Sequence, residues 1–303
     1  MSTLSPLLEK HLNDCMQKCG IGAADQQILG SIASECWYLE LDDPENLPIG
    51  GSRIGGDPDL PDSLHWPDGE SEPMSFLLQI RLEDIQSALP HGMPRSGMLY
   101  FFVEDDENSL NVIHKLLWSG DLSGLSRRKP QGRTRETEQR HGIPGACSLK
   151  VVHGVDLPIY DNLPLKLYQE DSGFEMLQNL ENLLRGSDDR EAVCGKIFGS
   201  FSAQNPVLKN VAALFLERAT TELSAKEHFG DLYEIVKANQ QSVEVDPHLL
   251  EHEMKRWTRL LWLDSNFEVG FNIWDAGSYS VLMRLEDIAS HNFARSHVML
   301  ETC

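Results

Sequence analysis

The chain is short of cysteine, of basic residues and of long apolar runs. Six cysteines (Cys15, Cys19, Cys36, Cys147, Cys194 and Cys303) in 303 residues include no Cys-x-x-Cys pair, which excludes a zinc ribbon and a thioredoxin-type motif. Cys15 and Cys19 stand one helical turn apart, a spacing that suits two small apolar side chains on a buried face better than a disulfide. So few cysteines in a long chain fit a reducing compartment, and a cytoplasmic location is expected. Apolar runs such as Phe76–Ile80 are far too short to span a bilayer, so no membrane association is expected. The opening MSTLSPLLEKHLNDCMQKCG lacks a basic segment followed by an apolar one, and no signal peptide is expected.

Bases are outnumbered. Forty-seven Asp and Glu against twenty-six Lys and Arg give a formal charge of −21. Such a surface repels a phosphate backbone, which argues against nucleic-acid binding, and it steers toward a cationic partner. The charge is uneven. Asp57 to Asp121 holds thirteen acids and three bases, whereas Arg127 to Arg140 (RRKPQGRTRETEQR) holds six bases and two acids. The basic stretch has no apolar residue and reads as a solvated loop or a disordered insertion, with a nucleic-acid contact or a self-contact with the acidic region as alternatives.

Leu4, Leu7, Leu8, Leu12, Cys15 and Cys19 recur at helical spacing, as do Ile28, Leu29, Ile32 and Cys36 within Ala24 to Leu39; Gly20 and Gly22 separate the two. A helical hairpin is therefore expected at the start. Pro and Gly in DDPENLPIGGSRIGGDPDLPD then force turns and extended chain. FLLQI (76–80) has strand length, RLEDIQSAL (81–89) reads as a short amphipathic helix, and MLYFFVE (98–104) as an aromatic strand. LNVIHKLLW and LKVVHGV are further strand candidates flanking the basic stretch. The middle reads as helical: Ser172 to Leu184, a helix opening at Asn205-Pro206, and Phe229 to Ala238. Strands are expected again at 259–265, 271–275 and 278–283, followed by a helix at 284–291. The string RLEDI occurs twice, at Arg81–Ile85 and Arg284–Ile288, each time after an apolar strand, which suggests a duplicated strand–helix unit.

Residues 48–104 carry a further pattern. Gly55 and Gly56, Pro58 and Pro61, Trp66-Pro67, Gln79 ending an apolar strand, and Gly97 leading Tyr100, Phe101 and Phe102 resemble the opening signature of the YwqG-like family, a domain of unknown function. LLWLDSN and WDAGSYSVLM resemble its closing pattern, although Asn266 stands in place of an Asp and no Gly separates Trp274 from Asp275. The resemblance implies a duplicated α+β fold and supplies no reaction. Members of similar type are sometimes associated with toxin–immunity loci, which implies protein binding. The expected organisation is a helical extension at 1–45 and a YwqG-like domain at 46–303, with halves at about 46–170 and 190–303 and a helical middle segment.

Several motifs carry potential chemistry. Asp264, Asn266, Glu268, Gly270, Asn272 and Asp275 fall at positions 1, 3, 5, 7, 9 and 12 of a calcium-loop spacing. Val269 replaces the required glycine, position 12 is Asp instead of Glu, and the flanks read as strands, so a β-hairpin with outward polar residues competes with a metal loop. HLLEH (His248 to His252) matches an inverted zinc-protease string with Glu251 as base, but no third ligand is evident, and two solvated histidines explain it as well. GGSRIGGD lacks the Gly-Lys-Ser/Thr ending of a phosphate loop. Trp66 is expected to pack the proline-rich connection onto the sheet, and Gln79 to satisfy backbone groups.

Two functional expectations follow. The first is a non-enzymatic cytosolic protein-binding domain, immunity-like, presenting Asp57, Asp59, Asp62, Asp68, Glu70 and Glu72 to a basic protein such as a toxin, with no cofactor. The alternative is a small-ligand-binding protein or metal-dependent enzyme whose site lies between the halves and uses Arg53, Trp66, Gln79, Asp264, Trp274 and Asp275.

Overall fold

The computed structural model describes the chain apart from residues 1–3, 70–71, 86, 88, 105–111, 131–144, 159–164, 170–171, 187–191, 201–246, 274–275 and 302–303. Two helices open it, α1 (Pro6–Lys18) and α2 (Ala23–Ile32). Then follow β1 (Ser34–Leu41), the two-residue strands β2 (Arg53–Ile54) and β3 (Asp59–Leu60), β4 (Ser75–Arg81), β5 (Met98–Val103), β6 (His114–Ser119), β7 (Ser126–Arg127) and β8 (Cys147–Asp156). Next come α3 (Gly173–Arg185), β9 (Val193–Phe198), α4 (Pro247–Met254), β10 (Trp257–Asp264), β11 (Ser278–Arg284), α5 (Leu285–Ala289) and β12 (His297–Glu301).

The architecture is mixed α+β and dominated by one ten-stranded sheet in the order β12-β11-β10-β9-β1-β8-β2-β4-β5-β6. Every pairing in it is antiparallel. The sheet curls until its edges nearly meet. Near the β6 edge the Val112 amide donates to the Val298 carbonyl of β12 at 2.9 Å, and His114 Nε2 lies 2.8 Å from Ser296 Oγ. One apolar core fills the inside. Leu78 and Ile80 of β4 share it with Leu261 and Leu263 of β10, and the rings of Phe101 (β5) and Tyr279 (β11) meet edge to face at 6.1 Å.

Both faces of β4 and β5 are covered, which explains their unbroken apolar runs. Leu99, Phe101 and Val103 point inward; Met98, Tyr100 and Phe102 join Leu60, Met74 and Phe76 in a second cluster on the outer face. Over the sheet's centre, α1 and α3 pack through Leu8, Leu12, Leu177, Leu180 and Leu184 onto Val155 of β8. Gly186, in the left-handed region at φ 72°, ends α3.

Four expectations are corrected. The second helix stops at Ile32, and Cys36 to Leu39 belong to β1, which pairs on one side with β8 and on the other with β9. The run SECWYLEL is rich in aromatic and apolar side chains, and two flanking strands override its helical spacing. RLED at 81–84 ends in a single 3-10 turn, Leu82–Asp84, instead of a helix reaching Leu89. No strand spans 271–273, because Phe271 makes only an isolated bridge with Asn266. The basic stretch is not all solvated loop, since its first residue closes β7 against β3. Strand β9 carried no expectation at all. The helices expected over 205–238 lie outside the described residues.

Candidate functional site

The proline-rich connection is fixed to the sheet by a buried polar knot. Arg53 lies on β2 opposite Gln79 of β4, which lies opposite Tyr100 of β5. All three face outward beneath β3, and Asp59 of β3 drops its carboxylate among them. Asp59 pairs with Arg53, accepts from Arg127 Nε at 3.1 Å and from the Gly50 amide at 2.8 Å, and is touched by Gln79 Nε2 at 3.1 Å. Gln79 Oε1 accepts the Asp59 amide at 2.8 Å, Gln79 Nε2 donates to the Gly51 carbonyl at 2.8 Å, and the Tyr100 hydroxyl donates to the Asp59 carbonyl at 2.7 Å. Burial pushes the Asp59 carboxyl up, but the Gly50 amide and the two guanidinium groups outweigh it and hold its pKa below the usual carboxylate range.

Asp59 is therefore not part of an exposed acidic edge. Its carboxylate is fully buried because two cations and the turn at Gly50 claim it. Asp62 and Asp68 do face water, Asp57 and Glu72 are half-buried, and Glu70 lies outside the described residues. Asp62 is engaged by Arg128 at 2.7 Å. The basic stretch thus begins by neutralising two of the acids expected to meet a partner. Trp66 is half-buried, donates to the Met74 carbonyl at 2.9 Å and meets the Phe102 ring edge-on at 5.5 Å, so it braces the antiparallel bridge between Asp68 and Pro73.

The structure separates the residues of the alternative site. Three strands (β9, β1 and β8) stand between Asp264 on β10 and Arg53 on β2. Trp274 and Asp275 lie outside the described residues. Within the calcium spacing, residues 266–271 fold as a tight turn after β10. Asn266 and Phe271 exchange backbone hydrogen bonds, Asn266 Oδ1 faces the Val269 amide at 3.4 Å, and Asn272 Oδ1 accepts the Ala276 amide at 3.2 Å. Those oxygens serve the turn, while Glu268 points to water. On α4, His248, Glu251 and His252 are all exposed, and Glu251 pairs with Lys255 at 2.8 Å. Among the described residues no group of three or more His, Cys, Asp or Glu is placed to hold a metal ion. No described helix is long and apolar enough to cross a membrane.

A second concentration of ionisable groups lies on the outer face of β8, β1, β9 and β10, beside the last turn of α3. Lys196 (β9) pairs with Asp156 (β8) at 2.7 Å and lies over the Trp262 ring at 5.0 Å. Phe198 and Gly199, at φ 55° and 106°, turn the chain sharply off β9 so that the Ser200 amide reaches Asp156 at 2.9 Å. A Cβ on Gly199 would lie 2.6 Å from that carboxylate, so only glycine fits. Arg259 donates to the Ser200 carbonyl at 2.9 Å, and Arg185 pairs with Glu181 at 2.5 Å. Burial raises the Asp264 carboxyl to about 6 against the pull of the Ser265 amide, Arg185 and Lys196. Cys36 and Tyr38 form the buried floor, and burial pushes both pKa values well up. Sequence reading singled out only Asp264 here. Asp156, Arg185 and Lys196 sit in three separate elements with no shared motif to betray them.

A nearly closed antiparallel sheet with two charged clusters on its outer face defines a class of architecture and no reaction. Residues 52–302 match the family described as a domain of unknown function, DUF1963, and the chain belongs to that family, in accord with the YwqG-like signature. No curated protein matches the chain.

Proposed function

We propose that the protein is a non-enzymatic binding domain that presents an acidic edge to a basic protein partner, in the manner of an immunity protein. One observation carries the reading. The acid-bearing connection is braced onto the sheet through Asp59, Gln79, Tyr100 and Trp66, while Asp68 and the Arg128-paired Asp62 face water. A loop already ordered before contact loses little entropy on binding, and a chain of net charge −21 attracts a cationic partner over a distance. The reading keeps the cytoplasmic location expected from the sparse cysteines.

A duplicated unit is part of the same proposal. What supports it is the placement of the two RLEDI strings. Each leaves the end of a strand (β4 or β11), turns, and feeds a strand that pairs back antiparallel (β5 or β12). The regions after the two turns touch where His291 Nε2 approaches the Gly92 carbonyl at 3.1 Å.

The test is capture at low ionic strength with the purified chain, identification of the retained protein by mass spectrometry, and titration of that pair against salt. Affinity is expected to drop by about tenfold or more as surface charges are screened. Combined reversal of Asp57, Asp62 and Asp68 to Lys is expected to weaken it at least as much. Salt-independent binding, or binding indifferent to the reversal, defeats the proposal.

A further inference from the structure

Strand β8 outlasts its neighbour on one side. It pairs with β1 over Leu149 to Asp156, but with β2 only at Cys147 and Ser148. Ser148 exchanges backbone hydrogen bonds with Asp42 and Asp43 just past the end of β1, so Leu149, Val151, His153 and Val155 turn their backbone groups to the opposite edge. There the Leu149 amide donates to the Ser52 carbonyl at 3.0 Å. The Tyr38 hydroxyl, its ring lying over Gly154, donates to the Val155 carbonyl at 2.6 Å. Among the described residues nothing bonds the N–H and C=O groups that Val151 and His153 turn to this edge. Val151 and His153 are half-buried and Lys150 is exposed, so the fold does not seal this length of strand. Unpaired backbone groups on a strand edge are a template for an added strand.

The edge faces a space of about one strand's width. At Arg53 and Ile54, β2 holds β8 and β4 two strand spacings apart, about 9.5 Å. Upstream of Ser52 the chain leaves the sheet, with the Gly51 amide bonded to the Pro48 carbonyl and the Gly50 amide to the Asp59 carboxylate. β8 runs on to Asp156 and β4 to Arg81, with no described strand between them there. A single extended chain suits that width, whereas a second copy of the barrel does not. The margins carry Glu35 (paired with His153), Asp42 (paired with Lys150), Glu83 and Asp84, against the cations Arg81 and Lys150. We propose that the β8 edge at Val151–His153 binds an extended segment of a basic partner protein by strand addition, with Lys or Arg alternating with apolar residues. One face of the added strand joins Trp37 and Val151 at the inner core, and the other meets the carboxylates. This surface is separate from the acidic edge at Asp62 and Asp68 and stands without it.

The probe is an end-blocked octapeptide of alternating Lys and Val, added to the full chain and read by residue-resolved amide hydrogen exchange. Without peptide, the Val151 and His153 amides are expected to exchange at least about a hundredfold faster than those of Val152 and Gly154, which turn toward β1. The peptide is expected to slow Val151 and His153 by about tenfold or more. An octapeptide of Lys alone, or one alternating Glu and Val, is expected to slow neither. Combined Asp42→Lys and Asp84→Lys, both at exposed positions, is expected to weaken the Lys–Val peptide by about tenfold or more, with unchanged near-ultraviolet circular dichroism establishing the fold. Reversal of Asp62 and Asp68 is expected to leave this binding unaffected, so failure here and failure of the acidic edge are told apart. The proposal falls if the Lys–Val peptide slows neither amide, if the Lys peptide slows them as much, or if the double reversal binds like the parent. It falls equally if both amides are already protected in the free chain, which marks a segment of the chain itself on the edge. Protection that rises with protein concentration alone marks a second copy and overturns it as well.

Discussion

Asp59 and Asp264 are both partly or fully buried carboxylates on strands, and their surroundings drive them in opposite directions. Asp59 is held by two guanidinium groups and a backbone amide, and its pKa is lowered. Removing its charge leaves Arg53 buried without a counter-charge, a loss of about 3–5 kcal/mol for a broken buried pair. Asp59→Asn is therefore expected to lower the denaturant midpoint sharply at neutral pH. Because the folded pKa lies below the unfolded one, the wild-type advantage is complete above the ordinary Asp range. It fades as pH falls through the folded value, and a series of melts from pH 7 to acid reads that window. Asp264 has the reverse sign. Its pKa of about 6 in the folded chain exceeds the unfolded value of about 3.9, so its ionisation opposes folding as pH rises between the two. Asp264→Asn is expected to stabilise at pH 7 by up to about 3 kcal/mol, at about 1.4 kcal/mol per pKa unit, and to have no such effect below about pH 4. A destabilised variant at pH 7 contradicts this.

At the scale of elements, close backbone approach sets where β9 can lie. A Cβ on Gly195 would stand 2.4 Å from the Trp262 carbonyl and 3.3 Å from the Leu263 Cα, both in β10. Neither is a flexible side-chain end, so the strands themselves must separate. Gly195→Ala is expected to lose about 1–3 kcal/mol, the usual range for an overfilled core, and to speed amide hydrogen exchange in β9 and β10 first. Exchange that accelerates evenly over the whole sheet speaks against a local wedge. Element β7 shows the opposite lesson. Only Ser126 and Arg127 pair with β3, too few for a strand to persist alone, and the Arg127–Asp59 contact fixes them there.

At the scale of the molecule, the two halves cannot be taken apart. Strands from both sides of β1 and β8 line the same inner core, and Phe101 and Tyr279 touch across it. A fragment ending before β9 would expose Leu78, Ile80, Leu99 and Phe101 to water. Separate chains spanning about 46–170 and 190–303 are expected to be insoluble or unfolded, and the whole chain is expected to unfold in one transition with coincident fluorescence and circular dichroism signals. Two resolved transitions overturn that view. β1 sets a further limit. It precedes residue 52, where the family match begins, yet it is a central strand of the sheet, so truncation before Asp42 is expected to destroy the fold.

Local chemistry made much of the chain legible in sequence. The spacing of Leu4, Leu8, Leu12 and Cys15 specified α1, the apolar runs at 76–80, 98–103 and 278–283 specified β4, β5 and β11, and the proline frame with Trp66 specified an extended connection packed on a sheet. These follow from side-chain periodicity and from backbone restriction, both properties of neighbouring residues. Only the tertiary structure decided that Cys36 to Leu39 are strand, that Asp59 turns inward, and that Asp156, Arg185, Lys196 and Asp264 share one face. Each of those outcomes depends on partners brought together by strand pairing and burial, from Gln79, Tyr100 and Arg127 around Asp59 to Asp156, forty residues from Lys196, forces that no stretch of sequence reveals until the sheet has closed.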